Sequence, residues 1–163
     1  MEDVNYTPTG VIRTPFPGSK GMPEDPEAKR SAKTAEIFPG FLAGLADLEG
    51  FSHIILVFHM HLSEGPLMTV VPWKERNQRG VFSTRSPRRP NPIGITVVQL
   101  VRIEGNRLHV TGADMADGTP LPDIKPCLPE NDSADGLRRG QYWKSTARAC
   151  KTTRSMQGAG KGA

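Results

Sequence analysis

Three stretches of this 163-residue chain carry side chains whose types and spacing could do chemistry. The most unusual is GVFSTRSPRRPNPIG at 80–94, with Pro87, Pro90 and Pro92 set among Arg85, Arg88 and Arg89. Proline fixes its own φ and pushes the preceding residue out of the helical region, so three prolines hold the loop extended and rigid. Its arginine ends and backbone carbonyls are then preorganised for a charged ligand, because ordering entropy is lost before binding. A rigid strand crossover with solvated arginines would carry the same pattern. The second stretch, DMADGTPLPDIKPCLP at 114–129, sets Asp117, Asp123 and Lys125 among turn residues. Asp117 could act in a site or close a turn by bonding backbone two residues on. Asp123 and Lys125 alternate along an extended segment, so they share a face and could pair. The third is His59 and His61, a spacing compatible with a histidine–metal pair on one strand face. A two-histidine iron site would need a carboxylate from elsewhere, Glu64 or Asp114, so the preferred reading is a pair of pocket or interface histidines. No serine or cysteine sits in a nucleophile motif, and sequence alone pairs no two carboxylates for glycosidase chemistry.

The elements that must position these residues are short. Residues 4–13 and 34–38 read as strands, with the Pro- and Gly-containing segment 15–26 between them as a candidate lid. Phe41, Leu42, Leu45 and Leu48 fall at helical spacing before Gly50, which predicts one short packing helix with a glycine C-cap. Residues 52–62 alternate as a long strand, with His53, Ile55, Val57, His59 and His61 on one face and Ile54, Leu56, Phe58, Met60 and Leu62 on the other. Residues 94–103 and 107–113 form a β-hairpin around a turn at Glu104, Gly105 and Asn106. A turn at 117–120 leads into a segment ending at Ile124. Many short strands, one or two short helices and dense turns predict a mainly β fold, a small barrel or sandwich, rather than alternating β/α units. The glycine-rich string at 158–162 has no strand before it and no helix after it, so it is not a phosphate loop.

Composition narrows the classes. The length suits one domain, and 17 Gly with 15 Pro against 36% hydrophobic residues exclude a long coiled coil. No apolar run is long enough to span a membrane and the acidic start is not a signal peptide, so a cytoplasmic protein is expected. Cys127 and Cys150 make neither a zinc cluster nor a disulfide framework, which fits a reducing compartment. The net charge of +4 is uneven: residues 137–163 hold seven basic side chains and no acid, leaving 14 basic against 17 acidic residues before them. The expected organisation is therefore a barrel over 1–136 and a basic tail over 137–163, either a solvated end or an arm for RNA phosphates.

At GVIRTPF (10–16), LEGFSHIILVFHMH (48–61), RGVFSTRSPRRPNPIG (79–94) and DGTPLPDIKP (117–126) the chain resembles the TrmO-type, or YaeB-like, tRNA methyltransferases. The resemblance spans about residues 7–133. It implies a small β-barrel that binds S-adenosylmethionine without a Rossmann domain, as a homodimer with the cofactor near the subunit interface. It also implies methylation of N6 on a threonylcarbamoylated adenosine beside the anticodon of tRNA. Carried over by motif, His59, Met60, Arg85, Ile95, Ala116, Asp117, Gly118 and Thr119 would line the cofactor pocket, and Pro23, Glu24 and Asp25 would join from the early loop. Three departures stand out. Better-studied members have PRQ where this chain has Pro23, Glu24 and Asp25, Cys127 stands where tyrosine is usual, and longer members carry a C-terminal domain thought to help hold tRNA.

The implied reaction needs an aligned acceptor and removal of a proton, and no metal. Asn91, between Pro90 and Pro92, could accept hydrogens of an exocyclic amine, or could serve only a rigid turn. Asp117 could bond a ribose hydroxyl or face the sulfonium. Two other classes remain beside the methyltransferase: a non-catalytic barrel that binds the cofactor or RNA, and a metalloenzyme built on His59 and His61.

Overall fold

In a computed structural model that describes residues 2–18, 31–72, 75–132 and 136, the chain forms nine strands. They are β1 (Gly10–Arg13), β2 (Lys33–Ile37), β3 (His53–His59), β4 (Thr69–Val70), β5 (Arg79–Gly80), β6 (Ile93–Glu104), β7 (Arg107–Thr111), β8 (Thr119–Leu121) and β9 (Asp123–Pro126). Seven pair antiparallel in the order β8-β1-β2-β7-β6-β3-β9, while β4 and β5 make a separate two-stranded ribbon. The two outer strands of the sheet, β8 and β9, are consecutive in sequence and meet at Pro122. Leu121 pairs with Gly10 on β1, and Pro126 pairs with Ile54 on β3. One extended segment thus changes partner at a proline and joins the sheet's two sides, giving a mainly β barrel, one of the two architectures that the strand pattern predicts and the one that the resemblance implies. Because Pro120 and Pro122 have no N–H, neither can extend a ladder on a second side.

Inward side chains supply the core. Ile12, Ala35, Ile37, Ile54, Leu56, Val98, Leu100, Leu108, Val110 and Leu121 are buried on alternate strand positions. Each large aliphatic among them contributes on the order of 1.5–3 kcal/mol by leaving water. The β6–β7 hairpin has a two-residue loop, with Glu104 opposite Arg107 and Gly105 at φ +60°, the first central position that a type II′ turn reserves for glycine. Asn106 ties this tip to β2: its carbonyl accepts from Ile37 N at 2.8 Å and its side-chain amide donates to Ile37 O at 3.1 Å. A register shift between Leu100 and Arg102 leaves Val101 and Arg102 both exposed and turns Ile103 back against the core.

Several expectations need correction. The strand foreseen over 4–13 begins only at Gly10, although Thr9 still donates to Leu121 O through both its N–H and hydroxyl. The helix foreseen before Gly50 is two 3₁₀ segments, Pro39–Leu45 and Leu48–Gly50. Gly40 and Gly44 each cost a helix about 1 kcal/mol, and Asp47 at φ 62° separates the segments. Strand β3 stops at His59 rather than running to Leu62, because Met60 N donates to Pro92 O and His61 N to His59 O. The short α-helix Pro129–Asp132 and the β4–β5 ribbon were not foreseen. Pro23, Glu24 and Asp25, most of the candidate lid and the tail over 137–163 lie outside the described residues.

Candidate functional site

A cavity of about 640 Å³ opens where β3 ends, β6 begins and the 60–92 excursion returns. That volume lies in the range of small-molecule and cofactor sites. Its apolar wall includes Phe58, Met60, Ile93, Ile95 and Met115, and its polar groups include Arg85, Arg89, His61, Asp114, Thr84 and Thr119. The pairing of Phe58 with Gly94 in the β3–β6 ladder sets the floor. A Cβ on Gly94 would overlap the Phe58 ring, so only glycine lets that ring lie flat across the neighbouring strand.

The proline-rich loop is stiffened by local hydrogen bonds. Arg89 N donates to Pro87 O at 2.8 Å and Ile93 N to Asn91 O at 2.7 Å, each closing a three-residue turn. Its three arginines have different occupations. Arg88 donates to Gly65 O and Glu64 O, both at 3.3 Å, and Arg89 donates to Thr84 O at 2.8 Å and Val81 O at 3.3 Å. These two guanidiniums staple backbone carbonyls. Arg85 is exposed at the cavity wall and has no hydrogen-bond or ion-pair partner among the described residues. It is the arginine available to an anionic group, a distinction that depends on partners elsewhere in the chain and is invisible in the string TRSPRR.

The turn at 116–119 supplies a further part of the wall through its first and last residues. Gly118 has φ +73°, a conformation that side chains rarely adopt, and Thr119 donates its hydroxyl to Ala116 O at 2.8 Å. Ala116 and Thr119 line the cavity. Asp117 instead turns toward the end of β1: its Oδ1 accepts Thr14 N at 2.9 Å, its Oδ2 lies 3.9 Å from Arg13, and its own N–H donates to Phe16 O at 2.7 Å. Neither Asp117 nor Gly118 lines the cavity.

The histidines foreseen on one face are separated. His59 ends β3 exposed and outside the cavity, whereas His61 lines it with Nδ1 3.4 Å from the Thr119 hydroxyl. Among the described residues no group of three His, Cys, Asp or Glu side chains could hold a metal ion. Asn91 is exposed on the loop and is not part of the cavity wall. Of the foreseen residues, the cavity brings together Met60, Arg85, Ile95, Ala116 and Thr119. It adds Phe58, Ile93 and Met115, whose only advance signal was position on the strand and turn that carry the motifs, together with His61, expected as a pocket or interface histidine, and Asp114, named only as a carboxylate for a metal pair.

Electrostatics near the cavity come partly from the barrel interior. Lys33, on the inward side of β2 and 2% exposed, donates to the carbonyl and the hydroxyl of Ser31, both at 3.0 Å, and lies 5.3 Å from the Phe16 ring. Burial pushes its ammonium below the usual lysine range, and the charge of cavity-lining Asp114 partly opposes that shift. Elsewhere, a hydrogen bond from Arg102 holds Glu104 below the usual carboxylate range, with His109 adding to it. Asp123 and Lys125 do pair, at 2.8 Å, and the hydrogen bond raises Lys125. Both sit well exposed on β9, away from the cavity wall.

Residues 11–133 match the model of the tRNA-methyltransferase O N-terminal domain. The chain is 46% identical over 141 residues to a probable S-adenosyl-L-methionine-binding protein of Pyrococcus abyssi, covering 86% of this chain and 77% of that one. It is 38% identical over 138 residues to mouse tRNA (adenine(37)-N6)-methyltransferase, covering 80% of this chain but 32% of the mouse protein. The crystal structure of TrmO from Pseudomonas aeruginosa superposes with a TM-score of 0.70 at 35% identity, covering 85% of this chain and 62% of that one.

Proposed function

This chain belongs to the tRNA-methyltransferase O N-terminal domain family, and we propose that it uses S-adenosyl-L-methionine to methylate N6 of a threonylcarbamoylated adenosine in tRNA. The observation that carries the reading is the cavity itself: an apolar cleft of cofactor size with Arg85 at its wall and Asp114 among its few polar groups. The donor set fits the cofactor. Apolar side chains suit its adenine, a guanidinium suits its carboxylate, and a carboxylate suits its ammonium or sulfonium.

When bound, S-adenosyl-L-methionine supplies a methyl group already activated by the sulfonium, so no metal is needed. The protein's work is to exclude water, align the acceptor and take up a proton. Phe58, Met60, Ile93 and Ile95 do the first. Asn91, exposed on the stiff loop, offers a side-chain oxygen to the hydrogens of the acceptor amine. Pro23, Glu24 and Asp25 belong to the cofactor set by resemblance, as do His59 and Gly118, which do not line the cavity. A tRNA acceptor puts the activity in the cytoplasm, where the free thiol of Cys127 would persist.

The test is transfer of labelled methyl from the cofactor to tRNA with and without the threonylcarbamoyl group. Label is expected in the modified tRNA alone. No label in either RNA, with cofactor bound, would leave a binding module instead. Arg85→Ala is expected to weaken cofactor binding by roughly 1–3 kcal/mol through loss of a charge-assisted hydrogen bond. Calorimetry giving unchanged affinity would remove Arg85 from the site.

The protein acts as a homodimer. The outer face of β6 carries Ile93, Ile95 (58% exposed) and Val97 (51% exposed) in one row, with Val57 and Ile55 of β3 beside Ile95 and Val97. Such a row of β-branched side chains is costly to leave in water, and Ile93 and Ile95 also wall the cavity. A second copy over this row would close the site. Sedimentation is expected to give a dimer that Ile95→Glu dissociates, and a monomeric parent protein would reject the arrangement.

A further inference from the structure

We propose that Phe82 is a stacking platform for an unpaired RNA base next to the one that enters the cavity, an inference that rests on the tRNA reading above. Phe82 is 70% exposed, the largest exposure of any phenylalanine described, on a turn too well pinned to let the ring fold away. Val81 before it is fully buried and donates its N–H to Met68 O at 2.9 Å. Ser83 after it donates its hydroxyl to Gly80 O at 2.8 Å, and buried Thr84 donates its hydroxyl to Val81 O at 2.8 Å. An apolar ring held out in water by a rigid support is a cost that a partner's flat face would offset.

Position and charge identify that partner. The Arg89 guanidinium lies 5.8 Å from the centre of the Phe82 ring, and Arg89 also lines the cavity. The ring therefore stands one guanidinium away from the site, the scale on which neighbouring nucleotides follow one another. Because Thr84 O and Val81 O hold Arg89, the ring and the cavity keep a fixed relation. Residues 75–92 carry Arg76, Arg79, Arg85, Arg88 and Arg89 against one acid, Glu75, whose carboxylate pairs with Arg79 at 3.1 Å. An exposed aromatic ring among cations is the arrangement that binds single-stranded nucleic acid, with bases on rings and phosphates on arginines. Extruding the acceptor adenosine leaves its neighbour unstacked on one side, and Phe82 replaces the lost face.

The test uses the full chain, a mixed-sequence single-stranded RNA oligonucleotide and the tRNA. Phe82→Ala is expected to weaken binding of both RNAs by about 5- to 100-fold, with Phe82→Tyr and Phe82→Trp near the parent and Phe82→Leu close to alanine. The slope of affinity against salt should stay the same, since a ring neutralises no phosphate. Cofactor affinity should not change, which also reports that the variants fold. Unchanged RNA binding in Phe82→Ala, or leucine as good as tyrosine, overturns the proposal. So does a variant that changes only self-association, because the ring would then belong to an interface between copies. Ring-dependent RNA binding without methyl transfer would reject the enzymatic reading while upholding the platform. Normal methyl transfer by Phe82→Ala at limiting tRNA would do the reverse.

Discussion

Replacing Gly94 with alanine is expected to disable the cavity and cost the fold about 1–3 kcal/mol, the range for overpacking a tight site. The new Cβ would overlap Cζ and Cε2 of Phe58, and it would lie 2.9 Å from Cε1. Three ring atoms are involved, so no small rotation of the ring relieves the clash. Gly94 is fixed by its ladder pairing with Phe58, with β6 bonded to both β3 and β7. The ring must therefore leave, and it is part of the cavity wall. Cofactor affinity should fall more than tenfold, and urea unfolding should shift to lower midpoint with an unchanged slope. Phe58→Ala in the same chain removes the obstacle, so the double variant should be more stable than the sum of the two single losses. Additive losses and an unchanged affinity for Gly94→Ala would show that the ring has another place to go.

Why Gly94 matters cannot be read from the string PNPIG, where it is only the first residue of the strand expected over 94–103. The reason lies in a pairing with Phe58, 36 positions earlier in sequence. The same division runs through the rest of the chain. The β6–β7 hairpin was legible because its cause is local: β-branched strands flank a turn that needs glycine at one position. The 117–119 turn was legible for a similar reason. Hydrophobic spacing predicts one helix before Gly50, but Gly40 and Gly44 disfavour it and two 3₁₀ segments form instead. Barrel closure at Pro122 was legible only as a fold class, since partner choice on each side of a proline is a tertiary matter. Proline density marks the loop that lines the cavity through Thr84, Arg85, Pro87 and Arg89. It could not separate Arg85, left for a ligand, from Arg88 and Arg89, which hold carbonyls contributed by residues 64–65 and 81–84.

Asp117 gives the same distinction an energetic test. Its carboxylate accepts the N–H of Thr14, 103 positions away, and so joins the end of β1 to the turn that walls the cavity through Ala116 and Thr119. Asp117→Ala removes the acceptor and leaves a part-buried N–H without its partner, which should lower stability by about 1.5–3 kcal/mol, the range for a hydrogen bond to a charged group. Asp117→Asn keeps an oxygen for Thr14 and loses only the charge facing Arg13 at 3.9 Å. Both of those side chains are about half exposed, so this loss should stay below roughly 1 kcal/mol. Ligand binding separates the two roles of the residue. If the carboxylate holds the turn, both variants should weaken S-adenosylmethionine and the neutral product S-adenosylhomocysteine by equal factors, the alanine variant more than the asparagine one. A carboxylate facing the sulfonium would act by Coulomb attraction, and asparagine would then penalise the cationic ligand alone. Since the carboxylate points to β1 rather than into the cavity, equal factors are expected from calorimetry with the two ligands. A selective loss for the cation would return Asp117 to the charge-bearing role and require the turn to rearrange when the cofactor binds.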